Sequence, residues 1–265
     1  MFDLHGISLA VVAGLVLAAF VAGWVDAVVG GGGLIQLPAL LIGLPADTPT
    51  AHVLGTNKIS SVAGTLTATI TYARKIALHV PTLIPLVLSA FAGSAAGAAM
   101  ARLIPKTALT PIVLVALIAV GLFTVFRPEL GLVHQPRHAG FGEIVRTAAI
   151  GGSVGLYDGI LGPGTGSFFV IAMVAVLGYG FLEASAKAKI ANLTTNVAAI
   201  SVFGLNGEIL WGIGALMAVA NLSGGWLGAR TALRNGSAFV RKVFLIVIGA
   251  LVLKLAYDTW RQFFG

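Results

Sequence analysis

The sequence contains no cysteine and very little charge: only 9% of its 265 residues are Asp, Glu, Lys or Arg. Without cysteine there are no disulfides, no thiolate metal site and no thiol nucleophile, while the compartment is left undetermined. A water-soluble domain normally carries about 25% charged residues, so a soluble globular fold is excluded. What fills the chain instead is apolar, with 58% hydrophobic residues and a mean hydropathy of +1.00. At about 20 apolar residues per span there is length for roughly ten spans, and little remains for an extramembrane catalytic or nucleic-acid-binding domain. The expected fold class is an all-α polytopic membrane protein.

Acidic residues are the scarcer sign, 9 against 16 Lys and Arg, and the formal net charge is +7. In a soluble protein such an excess would suggest nucleic acid, but here the basic residues must first be placed on loops. Apolar stretches fall at 7–28, 34–44, 51–73, 80–101, 108–126, 143–161, 167–182, 188–205, 209–229 and 239–258. The first, preceded by Asp3 and His5 and no Lys or Arg, runs too far for a signal peptide and is expected to be a span. Segments 34–44 and 167–182 are short for a crossing, so each is either a half-helix or part of a re-entrant hairpin.

With the amino terminus outside and every segment crossing, the inward loops carry Arg74, Lys75, Arg127, Arg137, Arg146, Lys187, Lys189, Arg230, Arg234, Arg241 and Lys242. The outward loops and tail carry only Arg102, Lys106 and Arg261, and Lys58 and Lys254 lie within segments. That asymmetry predicts both termini on the extracytoplasmic side and turns the high pI into a topology signal, with no nucleic-acid partner required.

An internal repeat organises the segments. Gly23-Trp24-Val25-Asp26 followed by Gly30-Gly31-Gly32-Gly33 recurs, 132 residues on, as Gly155-Leu156-Tyr157-Asp158 followed by Gly162-Pro163-Gly164-Thr165-Gly166. At an offset of 131, Lys58 meets Lys189, Thr65 meets Asn196, and the pair Gly93/Gly97 meets Gly224/Gly228. Residues 1–126 and 143–265 therefore read as two repeats of about five segments each, joined by a cytoplasmic linker at 127–142. An odd number of segments inverts one half relative to the other, an arrangement common among secondary transporters, whose interrupted segments mark a site near the membrane midplane.

The glycine clusters are such interruptions. Consecutive glycines weaken a membrane helix and free backbone amides. Where the helix resumes near Leu34 and Ser167, the amides and the partial positive charge of its N-terminus suit an anion. The expected substrate contacts are Gly30, Gly31, Gly32, Gly33, Asn57 and Lys58 in the first half, and Gly162, Gly164, Thr165, Gly166, Ser167, Lys189, Asn192 and Asn196 in the second. Close packing through small residues and interhelical hydrogen bonding are the structural alternatives, and the Gly93/Gly97 and Gly224/Gly228 pairs are assigned to packing. Lys189 could instead snorkel to the inner interface.

Asp26 and Asp158 sit just before the clusters, where an ionisable group within a span is a functional candidate. Either they exchange protons to couple transport, or they cap the broken helices. Two intramembrane aspartates also suit an aspartyl protease with a shared proton, but the Gly-x-Gly-Asp element is missing and the repeat would be unexplained. Gly162-Pro-Gly-Thr-Gly lacks the strand and lysine of a nucleotide-binding loop. His52, His79, His134 and His138 lack metal-ligand spacing. No catalytic residue, metal or cofactor is expected.

The runs Gly155-Leu-Tyr-Asp-Gly-Ile-Leu-Gly-Pro-Gly-Thr-Gly-Ser-Phe168 and Ala186-Lys-Ala-Lys-Ile-Ala-Asn-Leu-Thr-Thr-Asn196, with Gly30 to Gly33, Gly55-Thr-Asn-Lys58 and Tyr72-Ala-Arg-Lys75, resemble the TauE/SafE sulfite exporter family, also called the toluene sulfonate uptake permease family, and its YfcA-type members. The resemblance covers about residues 20 to 260. It implies a multi-pass protein of the bacterial inner membrane that moves small anions such as sulfite, sulfonates and related organic acids. A passive anion channel is the alternative to a driven transporter.

Overall fold

A computed structural model describes residues 7–45, 47–101 and 131–264, together with Leu114, Val115, Ile118, Leu122, Val125 and Phe126. Asp3, His5, Arg102, Lys106, Arg127, Pro128, Glu129 and most of the expected segment 108–126 lie outside the described residues. Among the described residues the chain is helical, without a strand.

The first helix, α1 (Leu9–Val29), starts where the Ser8 hydroxyl accepts a hydrogen bond from the Val11 N–H. It ends at Gly30, which takes the left-handed conformation (φ 84°) and donates its N–H to the Asp26 carbonyl. After the glycine turn, α2 (Gly33–Gly43) doubles back along α1, with Gly32 beside Ala22 and Asp26 and Gly43 beside Leu15 and Val11. Eleven residues extend about 16 Å, roughly half of the hydrocarbon core, so α2 is the returning arm of a hairpin. The helices α3 (Thr50–Ala73) and α4 (Val80–Met100) follow.

The second half repeats this plan. Helix α5 (Phe141–Ile160) enters a turn with Gly162 at φ 82° and Gly164 at φ 80°, then α6 (Thr165–Ala172) and one π-helical turn (Met173–Leu177) lead on. Helix α7 (Phe181–Leu205) is followed by α8 (Trp211–Phe264), which breaks its helical geometry at Gly236.

Three expectations are corrected. Helix α7 begins at Phe181 rather than 188, so Lys187 and Lys189 lie inside a helix and not on an inward loop. The run Phe181-Leu-Glu-Ala-Ser-Ala-Lys-Ala-Lys189 is low in hydropathy but rich in strong helix formers, and left-handed Gly178 ends the preceding segment. Segments 209–229 and 239–258 form one helical run, with Arg230 and Arg234 inside it, because the only non-helical residue is Gly236. Finally, α5 starts at Phe141, shortening the linker's carboxyl end.

Helices Leu9–Val29, Val80–Met100 and the stretch Trp211–Ala250 are long and apolar enough to cross a membrane. Helices α3, α5 and α7, of 24, 20 and 25 residues, are comparably long but carry polar side chains. Those side chains are inside: Gln36, Asn57, Lys58, Asp158, Lys189, Asn192, Asn196 and Asn221 are all buried, whereas Leu17, Ile84 and Leu88 lie on the outside. Such an inversion of the soluble pattern suits a chain whose solvent is lipid.

The helices meet in matched crossings. A Cβ on Gly224 or Gly228 would collide with the Phe20 or Trp24 carbonyl, locking α8 onto α1. A Cβ on Gly93 or Gly97 would collide with the Gly152 or Leu156 carbonyl, locking α4 onto α5. Phe20 and Trp24 are 132 residues before Gly152 and Leu156, so the two crossings join equivalent positions. Each half is thereby clamped to the other by small residues that permit close backbone approach.

Candidate functional site

The two glycine breaks touch backbone to backbone. The Gly30 carbonyl accepts a 3.1 Å hydrogen bond from the Ser167 N–H, and the Ser167 hydroxyl donates to the Val29 carbonyl at 2.9 Å. A Cβ on Gly30 or on Gly166 would collide with the other residue's backbone, and one on Gly33 would lie 3.3 Å from Pro163 Cα. Glycine is required here by proximity, and at Gly30, Gly162 and Gly164 by positive φ as well.

Against this crossing stand two ion pairs that exchange partners between the halves. Lys58 Nζ lies 2.6 Å from Asp158 Oδ2, and Lys189 Nζ lies 2.9 Å from Asp26 Oδ2. The first-half lysine thus serves the second-half aspartate, and the reverse. The carboxylates go to lysines rather than to freed helix amides or to each other, so neither the capping arrangement nor the proton-sharing pair of an aspartyl protease is the observed one. Lys189 is fully buried and does not reach an interface.

The ion pairs and the breaks enclose a cavity of about 20 Å³. Its walls include Asp26, Asp158, Lys58, Asn57, Asn192 and Asn196, with Gly30, Gly33, Gly162, Gly166 and Thr165 contributing the backbone side. Gly31, Gly32, Gly164, Ser167 and Lys189 stand behind that wall, in the turns or in the second ion pair. Such a volume has room for about one water molecule, so this is a closed conformation. The Asn57 Oδ1 atom is buried without a hydrogen-bond partner, leaving an acceptor unsatisfied at the cavity. Across it, Asn196 Nδ2 donates to Thr65 Oγ1 at 3.4 Å, joining the two residues that the repeat makes equivalent.

Three polar residues extend the expected set. Ser61 lines the cavity at the position equivalent to Asn192, and the 131-residue offset would have found it. Gln36 donates to the Asn57 carbonyl at 3.2 Å and accepts from Asn221 Nδ2 at 2.9 Å, while Asn221 also donates to the Ala19 carbonyl. This chain ties α1, α2, α3 and α8 together behind the site. A lone Gln inside the apolar run 34–44 was the available signal. The histidines remain apart, and among the described residues no group of three His, Asp or Glu could hold a metal ion.

Inward polar groups, a lipid-facing apolar exterior and broken hairpins around a central closed cavity define a polytopic membrane transporter. Residues 15–255 match the family described as "Sulfite exporter TauE/SafE", and the chain belongs to that family. It is 38% identical over 244 residues to "Probable membrane transporter protein ORF9" of Sinorhizobium sp, covering 92% of each chain. It is 34% identical to "Probable membrane transporter protein" of Haemophilus influenzae, covering 92% of this chain and 94% of the relative. With "Probable membrane transporter protein YfcA" of Escherichia coli K12 it shares 32% identity, over 94% of this chain and 90% of the relative. No solved structure matches the chain.

Proposed function

We propose that this protein is a secondary transporter, working as an exporter, of small anions: sulfite, sulfonates or related organosulfur and carboxylate anions. The observation that carries the reading is the pair of crossed lysine–aspartate contacts beside the meeting of two helix breaks. While both aspartates are ionised, each lysine is neutralised within the protein and attracts an anion weakly. Protonating an aspartate breaks its ion pair, and the released lysine, with nearby asparagine amides and helix N-termini, then receives the anion. Proton and anion occupancy are thereby linked, and the proton gradient or the membrane potential supplies the drive.

The proposal includes inverted repeats at 1–126 and 143–265 around the 127–142 linker, in the bacterial inner membrane with both termini extracytoplasmic. The matched crossings of α1 with α8 and α4 with α5 support the repeat, and the basic residues of the inward loops support the orientation. Purified protein in proteoliposomes, given a pH gradient and a panel of sulfite, sulfonates and carboxylates, tests the function. Accumulation of one of these anions against its own gradient is expected. Equilibration alone would make the protein a passive channel, and no flux of any anion would overturn the substrate class.

A further inference from the structure

Away from the central cavity, the end of α3 and the middle of α8 form a cup of about 580 Å³. Four cations line it: Arg74, Lys75, Arg230 and Arg234, all exposed, and no Asp or Glu stands among its described lining residues. Ile76, Leu182 and Leu233 supply an apolar side to the same cup. Four like charges brought together without a counter-charge repel one another, so the cup is complementary to a ligand with net negative charge.

The cup does not end in solvent. A second groove of about 430 Å³, walled by Phe20, Leu222 and Leu227, opens beside it, and Trp226 lines both. On α3, Thr67 belongs to this groove and Thr71 to the cup, one helical turn apart. Trp226 also holds the Arg230 guanidinium over its ring at 4.0 Å, a cation–π contact that fixes the cation at the junction. An apolar trough on the outer face of the helices therefore runs into a strongly basic end.

We infer that this continuous groove is a binding site for an anionic phospholipid, with the phosphodiester headgroup in the basic cup and an acyl chain in the trough beside Phe20 and Leu227. Free phosphate would share the cup chemistry but leave the trough unused. A zwitterionic lipid would fill the trough but bring a positive charge to four others. Basic pockets between membrane helices at the inner surface are suited to such headgroups, and the expected inward placement of these four cations agrees. The inference does not depend on the transport reading.

Native mass spectrometry of the delipidated full chain in detergent, titrated with phosphatidylglycerol, phosphatidylcholine or inorganic phosphate, tests it. Phosphatidylglycerol should bind at least tenfold more tightly than phosphatidylcholine, and millimolar phosphate should not displace it. Arg230→Gln and Arg234→Gln should each weaken phosphatidylglycerol about fivefold. Lys242→Gln, which removes one exposed cation outside the groove, should leave affinity within twofold. Equal binding of the two lipids, displacement by phosphate, or an equal loss in Lys242→Gln would each overturn the assignment.

Discussion

Lys58 and Asp158 meet at 2.6 Å with side chains only 4% and 2% exposed, whereas Lys189 and Asp26 meet at 2.9 Å with Asp26 14% exposed. The repeat makes the two pairs equivalent, so their surroundings account for the difference. Beside Asp158, Tyr157 packs edge-on against Phe168 and donates its hydroxyl to the Pro163 carbonyl, bracing the second break. The equivalent of Tyr157 in the first half is Val25, and that of Pro163 is Gly31, so the first break has neither the brace nor the ring. Two chemically identical ion pairs can thus divide labour: one is shielded and holds the halves together, the other is open enough to exchange a proton.

The largest expected effect breaks that comparison directly. Asp158→Ala leaves the Lys58 charge buried without a partner, which destabilises by about 3–5 kcal/mol. Asp26→Ala should be milder, because the site at Asp26 already admits solvent. Thermal unfolding of the two variants in the same detergent measures the gap, and equal losses would erase the proposed division. Next come the breaks themselves. Gly32→Val drives a side chain into the Ala22 carbonyl and the Asp26 side chain, whereas Gly164→Val strains a left-handed residue by about 1–2 kcal/mol. Transport should fail in both, with the fall in folded yield greater for Gly32→Val.

A third expectation concerns coupling. Asn keeps hydrogen bonding but does not titrate, so Asp26→Asn should abolish pH-driven accumulation of a transported anion while counterflow exchange persists. Asp158→Asn should lose both, since it also weakens the shielded pair. Accumulation by Asp26→Asn at the parental level would remove the proton role from the more open aspartate.

Much of this arrangement was legible in the chain. Long apolar runs marked the helices, and glycine spacing marked both the breaks and the close crossings, because a missing side chain leaves a periodic trace. The aspartates stood out as charges within apolar segments. The partner exchange was not legible: an offset of 131 or 132 residues reveals which residues are equivalent, not which ones touch. The start of α7 was obscured for a different reason, since hydropathy treats Lys187 and Lys189 as loop while helix propensity carries straight through them. Gln36 and Asn221 were passed over as isolated polar residues, although their bonds cross from α2 to α8.

The smallest expected effect isolates what joins the halves at Thr65 and Asn196. Thr65 Oγ1 donates to the Ser61 carbonyl at 2.7 Å within its own helix and accepts from Asn196 Nδ2 at 3.4 Å. The first bond returns to a carbonyl that the helix already satisfies, so losing it matters little. The second is long, and interhelical hydrogen bonds in membrane proteins average only about 0.6 kcal/mol. Thr65→Val keeps the shape and removes both, so it should lower stability by less than about 1 kcal/mol and leave transport near the parental rate. If the ion pairs rather than this bond hold the two halves in register, Thr65→Val added to Asp158→Ala should change the melting temperature no more than it does alone. A loss comparable to that of Asp158→Ala would instead make the Thr65–Asn196 contact the main link between the halves, and the unequal ion pairs would lose their structural role.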